Sequence, residues 1–167
     1  MLILSAAHQQ EIQAHAEQAY PEECCGILLG HLERDDHDSQ KTVVAVRPTP
    51  NAWSEAVAAD LVTLNIPARH IASDARRDRY WIDPQDLLKV QREARDRSLQ
   101  VIGIYHSHPD HPAIPSETDR RLAWSEYSYL ILSVQQGQVG QVLSWQLDNR
   151  HQFEPEVVCQ VKLDVNS

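Results

Sequence analysis

Six residues, HSHPDH at positions 106–111, hold three of the chain's nine histidines. Imidazole is both a metal ligand and a proton carrier near neutral pH. The run before it, Leu99–His106 (LQVIGIYH), reads as an apolar strand. Residues two apart on a strand project from one face, so His106 and His108 point the same way from a rigid strand end. Two imidazoles on one face are half of a zinc site, and catalytic zinc usually has three protein ligands and an open position. Asp119 is the candidate third ligand, carried by a proline-stiffened loop onto the next helix start. Each part also has a plainer reading. A lone H-x-H at a strand end is commonly surface or packing, and Ser116-x-x-Asp119 is equally a capping box. The two readings of Ser116 are partly compatible, with the backbone capping the helix while the hydroxyl faces the metal. His111 lies mid-loop between Asp110 and Pro112, where nothing fixes its direction, so loop surface, substrate contact and metal ligation stay open. The grouping of the other pieces within fourteen residues is what favours a metal.

These residues need a frame. Ser5 suits the N-cap of a helix to about Ala19, with Ile12, Ala16 and Ala19 at helical spacing and Pro21 beyond its end. Cys25–Gly30 (CGILLG) reads as a buried strand, His31–Gln40 as a hairpin connection and Lys41–Arg47 as the partner strand. From Pro48 to Arg79 the apolar positions keep no single period, which reads as an inserted or excursion region with room for a helical turn. Asp83 followed by Pro84 opens a second helix to about Ser98. A third helix runs from Ser116 to about Ser125, and strands at Tyr129–Val134, Val139–Leu147 and Glu156–Leu163 close the chain. The order predicts an α/β fold, a mixed sheet flanked by helices.

At 167 residues the chain is long enough for one domain with a proper core. Its net charge is −9, and its basic clusters, Arg76–Arg77–Arg79 and Arg92–Arg95–Arg97, are interleaved with acids. A nucleic-acid partner, which requires a basic face, is not expected. No apolar run reaches the roughly 20 residues of a membrane span, and MLILSAAHQQ lacks the basic start of a secretory signal. Three cysteines, two of them adjacent, make a poor disulfide framework, so a reducing cytoplasm is expected. Oligomeric state leaves no trace in the sequence.

HSHPDHPAIPSETD resembles the signature of the JAMM (MPN-plus) metalloproteases: H-x-H, seven residues, then S-x-x-D. His106, His108, Ser116 and Asp119 fill its four positions. A second element, P-x-E-x-C-G, is matched in YPEECCGILLG by Glu23, Cys25 and Gly26, with Glu22 out of register. Without the resemblance Glu23 would read as an exposed acid after a helix-ending proline. The likeness extends to NAW at Asn51 and to YWIDPQDLL, while Ala56–Asp78 exceeds a minimal member. The resemblance implies the JAMM/MPN fold, a curved, cytidine-deaminase-like sheet. It implies one Zn²⁺ per chain on His106, His108 and Asp119 with a water in the fourth position. By the same likeness Glu23 is the general base and Ser116 the oxyanion donor. Small bacterial-type members act on ubiquitin-like sulfur carriers, cleaving after a Gly-Gly tail that adds as a strand to a sheet edge. The alternatives are a catalytically idle MPN-type protein-binding scaffold and a nucleobase deaminase. The latter expects H-x-E and P-C-x-x-C, whereas position 108 is His and no C-x-x-C occurs.

Overall fold

The computed structural model describes residues 1–34, 39–63 and 76–161. Its elements are β1 (Leu2–Ser5), α1 (Ala6–Ala19), β2 (Cys25–Arg34), β3 (Ser39–Thr49), α2 (Glu55–Thr63), α3 (Pro84–Asp96), β4 (Gln100–Pro109), α4 (Glu117–Leu122), β5 (Ser128–Gln135), β6 (Gln138–Leu147), β7 (Phe153–Glu156) and β8 (Val158–Val161). The strands form one mixed sheet in the order β7-β6-β5-β4-β2-β3-β1-β8. β4 pairs parallel with β5, and β1 parallel with both β3 and β8. The expected α/β class holds.

Local chemistry explains the helix starts. The Ser5 side chain accepts from the His8 N–H and Asp83 from that of Gln85, each satisfying a donor that the first turn cannot pair internally. Ile12 and Ala16 of α1 pack with Leu28, Val46, Ile102, Tyr105 and Leu130 on one sheet face. Ala94 of α3 packs with Ile27, Leu29 and Ala45 on the other.

Several expectations need correction. Within the strand expected at Glu156–Leu163 lies β8, while β7, ending at Glu156, was not anticipated; the two stand at opposite edges of the sheet with Val157 alone between them. A one-residue link between opposite edges requires the sheet to curl until those edges nearly meet. Curvature also lets Lys41 Nζ of β3 donate to Ser128 Oγ of β5 at 3.0 Å, although two strands lie between them in the sheet. β1, four residues long, was not anticipated, because so short an apolar run carries no period. The third helix stops at Leu122, with Ala123 already extended. Of the region read as an insertion, helix α2 (Glu55–Thr63) covers the first part and residues 64–75 lie outside the described residues; from there 76–82 is tied to the start of β2 and the end of β3 by the Glu23 N–H donating to the Arg76 carbonyl and the Ala52 N–H to the Trp81 carbonyl.

Gly30 marks the tightest approach in the sheet. It sits at a register shift between β2 and β3, where an added Cβ would lie 1.9 Å from the Thr42 carbonyl oxygen. Backbone there cannot yield without breaking the ladder. Gly30→Ala is expected to destabilise the fold by about 1–3 kcal/mol or more, as overpacked sites do. Denaturant unfolding checks it, and an unchanged midpoint would contradict this packing.

Candidate active site

The register of β2 against β4 builds the site. Cys25 pairs with His106, and the Ser107 N–H donates to the Cys24 carbonyl at 3.1 Å. Ser107 Oγ in turn accepts from the Cys24 N–H at 2.8 Å. The same register carried two residues further sets Glu23 across from His108. Strand alternation sends Tyr105 into the α1 core and leaves His106 and His108 on the other face, beside the start of α4.

The imidazoles meet Asp119 there. His106 Nε2 lies 3.1 Å from His108 Nε2 and 3.5 Å from Asp119 Oδ1, and His108 Nε2 lies 3.7 Å from Asp119 Oδ2. All three residues are buried, and their donor atoms fall within 4.8 Å of one another. Ligands bonded at about 2.0–2.1 Å in a tetrahedral set stand about 3.3 Å apart, so the spacing and the N₂O donor set suit zinc. Burial lowers the His106 pKa despite the Asp119 carboxylate, favouring the neutral, ligating ring. For Asp119, burial alone would raise the pKa, but His106 and His108 hold it well below the usual carboxylate range.

Asp119 reaches this point because of the helix cap. Ser116 Oγ accepts from the Asp119 N–H at 3.1 Å, and Asp119 Oδ2 accepts from the Ser116 N–H at 2.6 Å. The capping box and the His106, His108 and Asp119 cluster are one arrangement. The capping-box reading of Ser116 and Asp119 holds, and the Ser116 side-chain oxygen as well as its backbone position takes part in the cap. Accepting that bond leaves the hydroxyl proton free to donate elsewhere.

Glu23 is 5% exposed. Burial pushes its pKa well above the ordinary range, the Asp119 charge adds to the rise, and Arg79 opposes it. Glu23 and Ser116 line two clefts that meet at this point. The larger, about 520 Å³, also holds Tyr80, Leu88, Asp119 and Trp124; the smaller, about 360 Å³, holds Arg79, His108, His111 and Ile114. His111 therefore faces a cleft, outside the ligand group. Cys24 and Cys25 are buried, and burial pushes both thiols up to about 12, which keeps them protonated and poor nucleophiles.

Sequence reasoning missed two residues. Asn51, noted only as part of NAW, donates to the carbonyls of Glu23 (3.1 Å) and Arg79 (2.9 Å) and accepts from the N–H groups of Trp53 (3.0 Å) and Trp81 (3.2 Å). Tyr80 stacks on His106. The signals were an asparagine just after Pro50 at a strand end and a tyrosine opening YWIDPQDLL, and neither points to a particular partner.

Two imidazoles and a carboxylate converging beside a buried glutamate are the equipment of a metal-dependent hydrolase. Residues 5–148 match the family described as prokaryotic homologs of the JAB domain. A desampylase of Haloferax volcanii is 31% identical over 137 residues, which is 79% of this chain and 80% of that one. A CysO-cysteine peptidase of Mycobacterium tuberculosis is 28% identical over 135 residues, 79% and 72% of the two chains. The solution structure of a Desulfitobacterium hafniense protein superposes with a TM-score of 0.70 at 27% identity, covering 97% of this chain and 94% of that one. The chain belongs to the prokaryotic JAB family and is a JAMM-type metallopeptidase.

The raised Glu23 pKa has a consequence for stability. In the metal-free protein the folded state keeps this proton at pH values where the unfolded chain, near 4.5, has lost it. Stability from this group is therefore lost as pH rises from about 4.5 through the raised value. Glu23→Gln cannot titrate, so metal-free E23Q should unfold at a higher temperature than the parent at pH 8, with the gap shrinking toward pH 4.5. A gap that widens on acidification would reverse the sign.

Proposed function

We propose that this chain hydrolyses the amide bond after the C-terminal Gly-Gly tail of a ubiquitin-like, sulfur-carrier type protein, as a peptidase or isopeptidase. One zinc ion per chain is held by His106, His108 and Asp119. The observation that carries this reading is the convergence of the buried ligand set with Glu23 and Ser116 where two clefts meet. The substrate class draws support from the desampylase and CysO-cysteine peptidase relatives.

When bound, zinc supplies Lewis acidity and brings a water's pKa from about 15.7 toward about 7. Glu23, whose proton affinity is raised by burial, takes the proton from the attacking water and returns it to the leaving amine. Ser116 spends its acceptor on the helix cap and donates its hydroxyl proton to the developing oxyanion. The protonated thiols of Cys24 and Cys25 take no part. A narrow approach favours glycines, which bring backbone to the site without side chains. Leu88 and Trp124, 46% and 57% exposed, rim the larger cleft and offer apolar surface to the folded body of a protein substrate. Asp78 lines both clefts, which supports a role for the 56–78 region in substrate access. Three free cysteines suit a reducing compartment.

Intact-mass analysis of Gly-Gly-extended ubiquitin-like carriers, with and without chelator, tests the reading. Cleavage after the second glycine, abolished by chelation, is expected. Glu23→Ala should lower the rate by about 10²–10⁴-fold, and Ser116→Ala by about 10²-fold or more. Full-rate cleavage by Glu23→Ala would remove Glu23 as the base. Bound zinc with no turnover on any carrier would favour the idle scaffold.

A further inference from the structure

The two histidines are held in different ways. His108 Nδ1 lies 2.8 Å from the Pro112 carbonyl, which can only accept, so Nδ1 donates to it and Nε2 is the ring nitrogen that faces Asp119. A hydrogen bond of this kind to the second ring nitrogen is the usual way a ligating histidine is aimed. His106 lacks one: its Nδ1 is buried with no hydrogen-bond partner among the described residues. Its ring is instead covered by Tyr80, with centroids 4.4 Å apart and planes inclined by 25°.

Tyr80 is itself fixed. The residues on either side of it are tied to Asn51, Arg79 through its carbonyl and Trp81 through its N–H. A further bond runs from the Ala52 N–H to the Trp81 carbonyl at 2.9 Å. The second Asn51 amide hydrogen goes to the Glu23 carbonyl. Both donors and both acceptor sites of the carboxamide are thus used. One side chain holds the segment that carries the glutamate and the segment that carries the stacked ring in a common frame.

We propose that Tyr80 is a positioning residue for the metal ligand His106. Its ring fixes the imidazole plane in place of the missing hydrogen bond, and Asn51 anchors Tyr80 in that position. The inference rests on the reading that His106, His108 and Asp119 hold zinc. It assigns the work to the aromatic face of Tyr80 and not to its hydroxyl, which separates it from any role in touching substrate.

The test measures the metal and needs no substrate. Zinc affinity is read by competition with a chromophoric chelator, and ligand geometry by the visible spectrum of the Co²⁺-loaded protein. Tyr80→Phe, which keeps the ring, should bind zinc within about twofold of the parent and leave the Co²⁺ bands in place. Tyr80→Leu should bind about 10–100-fold more weakly, the usual cost of losing an outer-shell partner, with shifted bands. Asn51→Ala should weaken binding in the same direction. If metal-free Tyr80→Leu fails to unfold cooperatively, Tyr80→Trp replaces it and should retain affinity within about fivefold, since it too offers a flat ring. Parent affinity and an unchanged spectrum in Tyr80→Leu would overturn the proposal. So would Tyr80→Phe binding as weakly as Tyr80→Leu, because the hydroxyl would then be the active group. A Trp variant with less than a tenth of the parent affinity would overturn it as well. A parent protein that binds no zinc would overturn the zinc reading itself, a separate result.

Discussion

The pairing of β2 with β4 is the constraint on which the rest depends. It is held by the ladder between Cys25 and His106 and by Ser107, whose backbone and hydroxyl both engage Cys24. A slip of one residue would turn His106 and His108 into the α1 core and take Glu23 off their face. Ser107 therefore has a use that its place between two histidines conceals. Pointing away from the site, it locks the register that makes the site. Gly26, one residue on, is equally constrained, since a Cβ there would fall 2.3 Å from the Tyr105 ring.

Burial has consequences in two directions. Glu23, His106, His108 and Asp119 are all withdrawn from water, where charge is expensive to hold. His106 is held toward its neutral form and Glu23 toward its protonated form, while Asp119 remains an anion because the imidazoles offset its desolvation. A buried anion flanked by two imidazoles suits a divalent cation, and a carboxyl with raised proton affinity beside it suits proton transfer. The same environment that makes these groups useful makes the metal-free site a weak point in the fold.

The segment from Arg76 to Ile82 links the clefts to this centre. It is fastened by the Arg76 carbonyl accepting from the Glu23 N–H, by Asn51, and by the bond between Ala52 and Trp81. Asp78 and Arg79 line both clefts, and Tyr80 stacks on the His106 ring. Anything that moves this segment moves the walls of the clefts together with a partner of His106.

The relation of His106 to His108, and of Ser116 to Asp119, was legible in the sequence. Strand alternation and the helix cap are local rules that act over two or three residues. The helix starts at Ser5 and Asp83 were legible for the same reason. The place of Glu23 was known only by likeness to a family, since alone it read as an exposed acid. Tertiary structure decided that it is buried beside Asp119 and lines a cleft with His108, that the last two strands stand at opposite edges of the sheet, and that Tyr80 and Asn51 join the site. Each of these depends on strand register and sheet curvature, set by hydrogen bonds between residues far apart in the chain, and no local pattern encodes which distant partner wins.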